Sequence, residues 1–161
     1  MTSLAAELRG EIDAALRWLR AIPEETTGRP PRPGGWSARQ IIGHLIDSAS
    51  NNHQRFVRAQ LQPSLVFPGY DQDAWVERSG YQEQRWEDLL DRWRAFNEQV
   101  AVVVERISQA ELRRARAEHN LHQIAWRTVP ADQPATLEYF IADYIGHLRH
   151  HLGQIRAMTS H

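Results

Sequence analysis

Histidine is the residue type whose spacing in this chain points most directly to chemistry. Eight histidines occur in 161 residues, and His147 and His151 lie four positions apart in a segment with helical periodicity. Residues four apart on an α-helix share one face, about 40° apart around its axis, so two imidazoles at this spacing can bind one metal ion. The pair by itself also fits histidines at the edge of a core that bond a carbonyl or a carboxylate.

A second set of polar residues recurs at helical spacing earlier in the chain, beside an apolar face. The set consists of His44, Asp47, Ser48, Asn51 and Arg55. It has two interpretations, a solvated helix surface or one wall of a binding site. Histidine, serine and asparagine are weak helix formers compared with lysine or glutamate, so helix propensity does not explain their presence at a surface.

His44 and the pair formed by His147 and His151 supply three imidazoles. Three imidazoles are the ligand set of an open metal site, which keeps one coordination position for water or substrate. The chain has no cysteine, so any metal must bind imidazole or carboxylate. The HExxH pattern of zinc proteases and the Glu-x-x-His tetrapeptide of ferritin-like di-iron sites are both absent from the sequence.

Four further residues are candidates for supporting roles around such a site. Asp143 lies one helical turn before His147 and can accept the second ring proton of that histidine. Asp47 is a candidate hydrogen-bond acceptor or proton relay. Asn51 and Arg55 can orient an anionic substrate, although for Arg55 a surface ion pair is an equally good interpretation.

Composition excludes several other kinds of chemistry. All 19 basic residues are arginine, so there is neither a Schiff-base lysine nor a P-loop lysine, and the absence of cysteine removes thiol nucleophiles and disulfides. With 20 acidic residues the net charge is −1, which disfavours nucleic acid as a partner. No apolar run is long enough to span a membrane and the first residues do not resemble a signal peptide. We therefore expect a cytoplasmic protein without a membrane partner.

Helical periodicity covers most of the chain and no alternating strand pattern is evident. Amphipathic helices are predicted over residues 3–22, 37–59, 83–107 and 136–158. Ser37 and Gln40 form a candidate capping box at the start of the second helix. The sequence therefore predicts a single domain over residues 1–161, an all-α antiparallel four-helix bundle with long crossover connections.

Two long segments lack a sustained period. Residues 62–81 are predicted to be a structured connection, and a connection as long as residues 113–134 indicates a functional segment, an unrecognised element, or both. Aromatic residues in the first segment can form a pocket wall or close one end of the bundle: Phe67, Tyr70 and Trp75. Three residues in the second segment are either ordinary loop residues or reach over the metal: His119, His122 and Trp126. His150 points about 100° away from its neighbour His151 and is expected outside the ligand set.

Two segments together resemble a known family. They are Gly35–Ser48, with the sequence GWSARQIIGHLIDS, and Asp143–Ile155, with the sequence DYIGHLRHHLGQI. The combination resembles the DinB-like, or YfiT-like, superfamily of metal-dependent four-helix-bundle proteins, over nearly the whole chain. The resemblance implies an up-down-down-up bundle, commonly a homodimer, with a divalent metal on the three histidines named above. It also implies activities such as S-transfer from bacillithiol-type thiols and mycothiol-dependent isomerisation.

The resulting expectation is a metal-dependent enzyme of the thiol S-transferase or hydrolase type. Zinc is the expected metal, with nickel, manganese and iron as alternatives. The expected partners are a small-molecule substrate, for which a low-molecular-weight thiol is one option, and a second copy of the chain. The alternative is a non-catalytic metal- or ligand-binding accessory protein linked to stress. An open coordination position favours the enzyme, whereas a fourth protein ligand favours the alternative.

Overall fold

A computed structural model describes residues 2–160, and within this range the chain forms four long and three short α-helices. The long helices are α1 (Leu4–Leu19), α2 (Ala38–Ala59), α4 (Trp86–Glu105) and α7 (Leu137–Thr159). The short helices are α3 (Gln72–Ser79), α5 (Gln109–Arg113) and α6 (Leu121–Ile124). Extended structure in the described residues is limited to two isolated bridges between residue pairs. No helix of residues 2–160 has both the length and the hydropathy required to cross a bilayer.

Ion pairs show how α1 runs relative to α4. Arg9, near the start of α1, lies 3.0 Å from Glu98 in the second half of α4. Arg20, just after the end of α1, lies 2.9 Å from Asp91 in the first half of α4. The two helices are therefore antiparallel.

The direction of α7 follows from its contacts with α1. Arg149 lies 2.7 Å from Glu7 in the first half of α1. Further along both helices, the Arg156 guanidinium lies 4.6 Å from the centre of the Trp18 ring. The contacts advance in the same direction on both helices, so α1 and α7 are parallel.

Aromatic contacts complete the topology. Phe56, near the end of α2, packs against Phe140 near the start of α7 at 5.8 Å between ring centres, so these helices are antiparallel. The four long helices consequently run up, down, down and up, as the family resemblance implies. Because α1 and α2 both pack on α4 and α7, the first connection crosses one end of the bundle. The predicted antiparallel bundle with long crossover connections is confirmed.

The local signals at the helix ends account for most of the observed boundaries. Ser37 and Gln40 form both hydrogen bonds of the predicted capping box at the start of α2. The third long helix begins at Trp86 instead of Glu83, because Gly80 is left-handed (φ 67°) and a single 3₁₀ turn follows it. The first helix ends at Leu19 instead of continuing to Ile22.

The two predicted connections contain helices that the periodicity did not reveal. One is α3, whose start is capped by the side chain of Asp71, and the other is the single turn of α6. The connections also bond to each other, since Leu65 N donates to Glu118 O at 3.0 Å and Asn120 N donates to Leu65 O at 3.1 Å. Together they form a layer that covers α2 and α7 beside the histidines.

Apolar neighbours fix the histidine-bearing helices in place. Ile42 and Leu45 flank His44 and are at most 1% exposed, as are Ile145 and Leu148 beside His147. Burial of each such side chain stabilises the fold by roughly 1.5–3 kcal/mol. The backbone that carries the imidazoles is thus held by the core and does not depend on a ligand.

Candidate metal centre

Three histidines from two helices meet at one point between α2 and α7. The Nε2 atoms of His44 and His147 are 3.2 Å apart, and those of His147 and His151 are 3.0 Å apart. One ring nitrogen from each residue lies within 4.8 Å of those of the other two. The structure therefore brings together all three histidines expected to bind a metal.

The positions of these rings follow from the helix geometry. His147 and His151 share one face of α7, and the antiparallel contact of α7 with α2 puts that face opposite His44. Trp36, just before the capping box of α2, covers the cluster with its ring centre 5.0 Å from that of His44 and 6.4 Å from that of His151. His44 is 1% exposed and His151 is 9% exposed, so the cluster lies at the rim of the core.

The ring nitrogens fit a bound cation better than they fit each other. His147 Nε2 faces the Nε2 atoms of both other histidines, yet a neutral imidazole nitrogen carries either one proton or one lone pair and cannot satisfy both neighbours. At zinc–nitrogen distances of about 2.0–2.1 Å, tetrahedral ligands lie about 3.3 Å apart. The observed separations of the histidine nitrogens are close to that value.

The surroundings keep the imidazoles in the form that binds metal. Burial, and after it the neighbouring histidines, lower the pKa of His44 and of His147 to about 3. Burial also lowers the pKa of His151. Neutral rings keep a lone pair for a cation at neutral pH.

The hydrogen bond of His151 sets which of its nitrogens faces the cluster. Its Nδ1 lies 2.8 Å from Gln154 Oε1, so Nδ1–H donates to the amide and the lone pair is on Nε2. Gln154 was not predicted to have this role, although its spacing of three from His151 is a signal that the sequence contains. His44 Nδ1 is buried and has no hydrogen-bond partner among the described residues.

Asp143 has a different role from the one predicted. Its two carboxylate oxygens accept the backbone N–H groups of Trp126 and Arg127 at 2.8 and 2.7 Å; a bond to the ring of His147 was expected. The reason is that the second connection brings two free N–H groups to this carboxylate. Asp143 thereby positions Trp126, whose ring centre lies 6.4 Å from that of His147.

A glycine allows this close approach of Trp126 to α7. A Cβ atom at Gly146 would lie 3.0 Å from the Trp126 ring. Trp126 thus reaches over the histidine cluster, whereas His119 does not. The ring of His119 bonds Gln133 O at 2.6 Å and Leu121 N at 3.1 Å, and this contact holds the loop together.

The polar set on α2 is mostly inside the protein. Asp47 is 4% exposed and Arg55 is 6% exposed, so the solvated-surface interpretation is wrong for these positions. Asp47 Oδ1 accepts a hydrogen bond from Tyr81 OH at 2.6 Å, and burial raises the pKa of Asp47. Asn51 donates to Asp47 O at 2.9 Å, which holds its amide on its own helix. The neighbouring Asn52 lies in the cavity beside the histidines.

That cavity runs alongside the histidine cluster and has a volume of about 370 Å³. Helix α2 contributes His44, Ser48, Asn52 and Arg55. Helix α7 contributes Phe140, Asp143, Tyr144 and His147. The two connections supply the remaining walls, including Tyr70 and Trp126, which confirms a pocket position for one of the three aromatic residues of residues 62–81. Phe67 instead is 3% exposed and stacks on Phe140 in the core.

The opposite side of the cluster faces a second, wider opening. His151 and Gln154 line a groove between the loop that precedes α2 and the last turns of α7. His150 is exposed at the surface, where its Nε2 lies 3.3 Å from Gln154 Nε2. Within residues 2–160 the cluster contains no fourth histidine, cysteine, aspartate or glutamate.

The up-down-down-up bundle and the histidine cluster are the two features on which this chain can be compared with known proteins. The model of the DinB superfamily matches residues 7–155, so the chain belongs to that superfamily. A solved structure with a TM-score of 0.76 covers 96% of this chain and 83% of its own at 21% identity. It is described as "YfiT from Bacillus subtilis", "a probable metal-dependent hydrolase with an unusual four-helix bundle topology", and at this identity it supports the fold alone.

Two curated relatives carry similar descriptions. The protein named "Putative metal-dependent hydrolase YfiT" from Bacillus subtilis (strain 168) is 22% identical over 150 residues, which cover 92% of this chain and 79% of the relative. A protein of Oceanobacillus iheyensis with the same description is 25% identical over 142 residues, covering 88% and 75% of the two chains. Both names refer to metal-dependent chemistry.

Proposed function

We propose that this protein is an enzyme whose reaction depends on a divalent cation held by His44, His147 and His151. The observation that carries the proposal is the open donor set: three neutral imidazoles converge beside a cavity, and the described residues add no fourth donor of the usual kinds. Open three-ligand sites are typical of catalytic metals, whereas closed four-ligand sites are typical of structural ones. Zinc is the metal we expect, because imidazole suits it and the site needs no redox change.

A divalent cation at such a site lowers the pKa of a coordinated water or thiol and supplies a nucleophile near neutral pH. The chain has no cysteine, so a thiol nucleophile must come from a second substrate. Trp36 and Trp126 cover the cluster and limit the access of bulk water to it. Gln154 holds the ring of His151 in one orientation. These features support hydrolysis and transfer to a thiol equally.

The first test is the metal content of protein purified without an affinity tag, compared with three alanine variants. We expect His44→Ala, His147→Ala and His151→Ala each to lose most of the bound metal while the helical circular dichroism persists, because the core holds the helices. His122→Ala, at an exposed loop position, is the matched control and keeps its metal. Stoichiometric metal in all three cluster variants contradicts the assignment.

The second test separates the two reactions. Metal-loaded protein is assayed with an activated ester alone, and with an electrophile such as monobromobimane plus a low-molecular-weight thiol. Ester cleavage without thiol supports hydrolysis, and conjugation that requires both substrates supports S-transfer. Turnover that survives removal of the metal, or that persists in His147→Ala, contradicts the proposed enzyme.

A further inference from the structure

The cavity beside the histidines contains a buried positive charge without a negative partner. Arg55 is 6% exposed, and its guanidinium makes two hydrogen bonds to the described residues. Nη2 donates to Pro68 O at 3.0 Å, and Nη1 donates to Asn52 Oδ1 at the long distance of 3.5 Å. A guanidinium has five N–H donors, so most of its capacity is unused.

The other deeply buried arginine shows what a structural arginine looks like in this fold. Arg116 is 2% exposed. It lies 2.5 Å from a carboxylate oxygen of Glu111 and also donates to Ala59 O and Gln62 O at 2.9 and 3.1 Å. Burial of an unpaired charge is costly. The chain compensates the charge of Arg116 and leaves that of Arg55 without a carboxylate among residues 2–160.

Arg55 and the histidines occupy opposite ends of the same cavity. On α2, the wall runs from His44 to Arg55 through Ser48 and Asn52, a distance of about 16 Å along the helix axis at 1.5 Å per residue. On the antiparallel α7, the wall runs from His147 back to Phe140. The Phe140 ring centre lies 6.0 Å from the Arg55 guanidinium.

The walls near Arg55 are suited to the apolar part of a ligand. The Tyr70 ring centre lies 5.7 Å from the guanidinium carbon. Asp143 also lines the cavity, but its carboxylate is tied to two backbone N–H groups. Because the cavity offers one guanidinium and also contains the carboxylate of Asp143, it suits a ligand with a single negative charge better than a phosphate dianion.

We propose that the cavity binds an elongated monocarboxylate, with the carboxylate on Arg55 and the reacting group at the histidine cluster. This substrate class deepens the proposed metal-dependent function and rests on it. Bidentate pairing with carboxylates is the contact for which a planar guanidinium is best suited. The separation of about 16 Å between the two ends along α2 calls for an elongated ligand, and the probes below carry an eight-carbon chain.

The proposal is tested with cobalt-loaded protein and two probes of equal length, 8-mercaptooctanoate and 8-mercaptooctanamide. Thiolate-to-cobalt absorption reports that the sulfur has reached the histidines, and calorimetry gives the affinity. We expect the acid to bind about tenfold more tightly than the amide, because only the acid forms charge-assisted hydrogen bonds with Arg55. A short acid, 3-mercaptopropionate, shows no such advantage over its amide because it cannot reach both ends.

Variants assign the preference to Arg55. Arg55→Met abolishes the advantage of the acid, Arg55→Lys keeps part of it, and Arg127→Met, which removes an exposed charge next to Trp126, keeps all of it. Equal affinity of wild-type protein for the long acid and its amide overturns the proposal. An acid preference that persists in Arg55→Met also overturns it. If Arg55→Met does not fold, the comparison of the long acid with its amide in the wild-type protein and in Arg55→Lys still tests the proposal.

Failure of this inference is distinct from failure of the metal-dependent function. Cobalt binding without any acid preference overturns the carboxylate site and leaves the metal proposal standing. If the protein binds no cobalt, octanoate and octanamide are compared on the metal-free protein. A preference for octanoate that Arg55→Met removes then supports the carboxylate site on its own.

Discussion

Two buried polar regions of this bundle differ in how far the chain itself supplies their hydrogen-bond and charge partners. Around Arg116, the carboxylate of Glu111 balances the charge and two backbone carbonyls accept hydrogen bonds from Nη1, so that only Nε has no partner among the described residues. Around the histidine cluster, the lone pairs converge on one another, His44 Nδ1 has no partner in the described residues, and Arg55 has no carboxylate. Since buried polar groups in native proteins are nearly always paired, groups left unpaired together mark the region that meets a ligand.

The largest effect that can test this difference is the response of the metal-free protein to acid. His44 and His147 have a pKa of about 3 when folded and about 6.5 when unfolded. Between these two pKa values the unfolded chain therefore binds more protons than the folded protein, and stability is lost as the pH falls below about 6.5. Each histidine should remove about 2 kcal/mol of unfolding free energy between pH 7.5 and pH 5.

Urea unfolding of metal-free protein across this range measures the loss. His147→Gln should show a smaller decrease than wild type, by about one proton's contribution. The comparison with the variant is needed because burial raises the pKa of Asp47 and of Asp143, which stabilises the fold as the pH falls. Identical pH profiles for wild type and variant would mean that protonation of His147 does not lower the unfolding free energy as predicted.

A smaller effect compares the two arginines directly. Arg116→Met leaves two backbone carbonyls without their donor and removes one of the two arginines that pair with Glu111, and should lower the unfolding free energy by about 3 kcal/mol. Arg55→Met removes an uncompensated charge and one good hydrogen bond, and should lower it by about 1 kcal/mol or less. Both are measured by urea unfolding at neutral pH. Equal losses of unfolding free energy in the two variants would mean that the chain supports Arg55 as well as it supports Arg116.

The smallest effect concerns the residue that orients a histidine. Gln154→Ala should weaken metal binding by about tenfold, because partners that hold ligating histidines typically contribute ten- to hundredfold to affinity. His150→Ala, which removes the exposed ring on the other side of Gln154, is the control and should leave the affinity unchanged. Competition with a chelating dye gives both values. A Gln154→Ala affinity equal to wild type would show that the ring is held by packing alone.

The fold was predictable because the sequence patterns that specify its long helices are local and recur over several turns. Each long helix has several turns of apolar periodicity, and Ser37 with Gln40 marks the start of α2. The eight-residue α3 and the single turn of α6 are too short for a period to be recognised. Their positions depend on hydrogen bonds between the two connections, which no local pattern encodes.

The candidate site was predictable only in part, for a related reason. His147 and His151 are neighbours through helix geometry, the polar spacing on α2 made His44 the third candidate, and the resemblance supported the same set. The role of Asp143 was mispredicted because a spacing of four from His147 suggests a contact within the helix. Its actual partners, the backbone N–H groups of Trp126 and Arg127, belong to a connection whose path the sequence did not show. The burial of Arg55 likewise depends on how that layer of connections covers α2.

His44 and His147 are 103 positions apart in the chain, so a cation between them joins the second long helix to the last one. Neither half of the polypeptide holds the full set of donors. A ligand that binds the native state and not the unfolded chain adds RT ln(1 + [L]/Kd) to the stability, and here that contribution acts across the whole bundle. An ion bound as proposed would therefore add to the resistance of the entire molecule to unfolding, and incomplete chains would not gain this stabilisation.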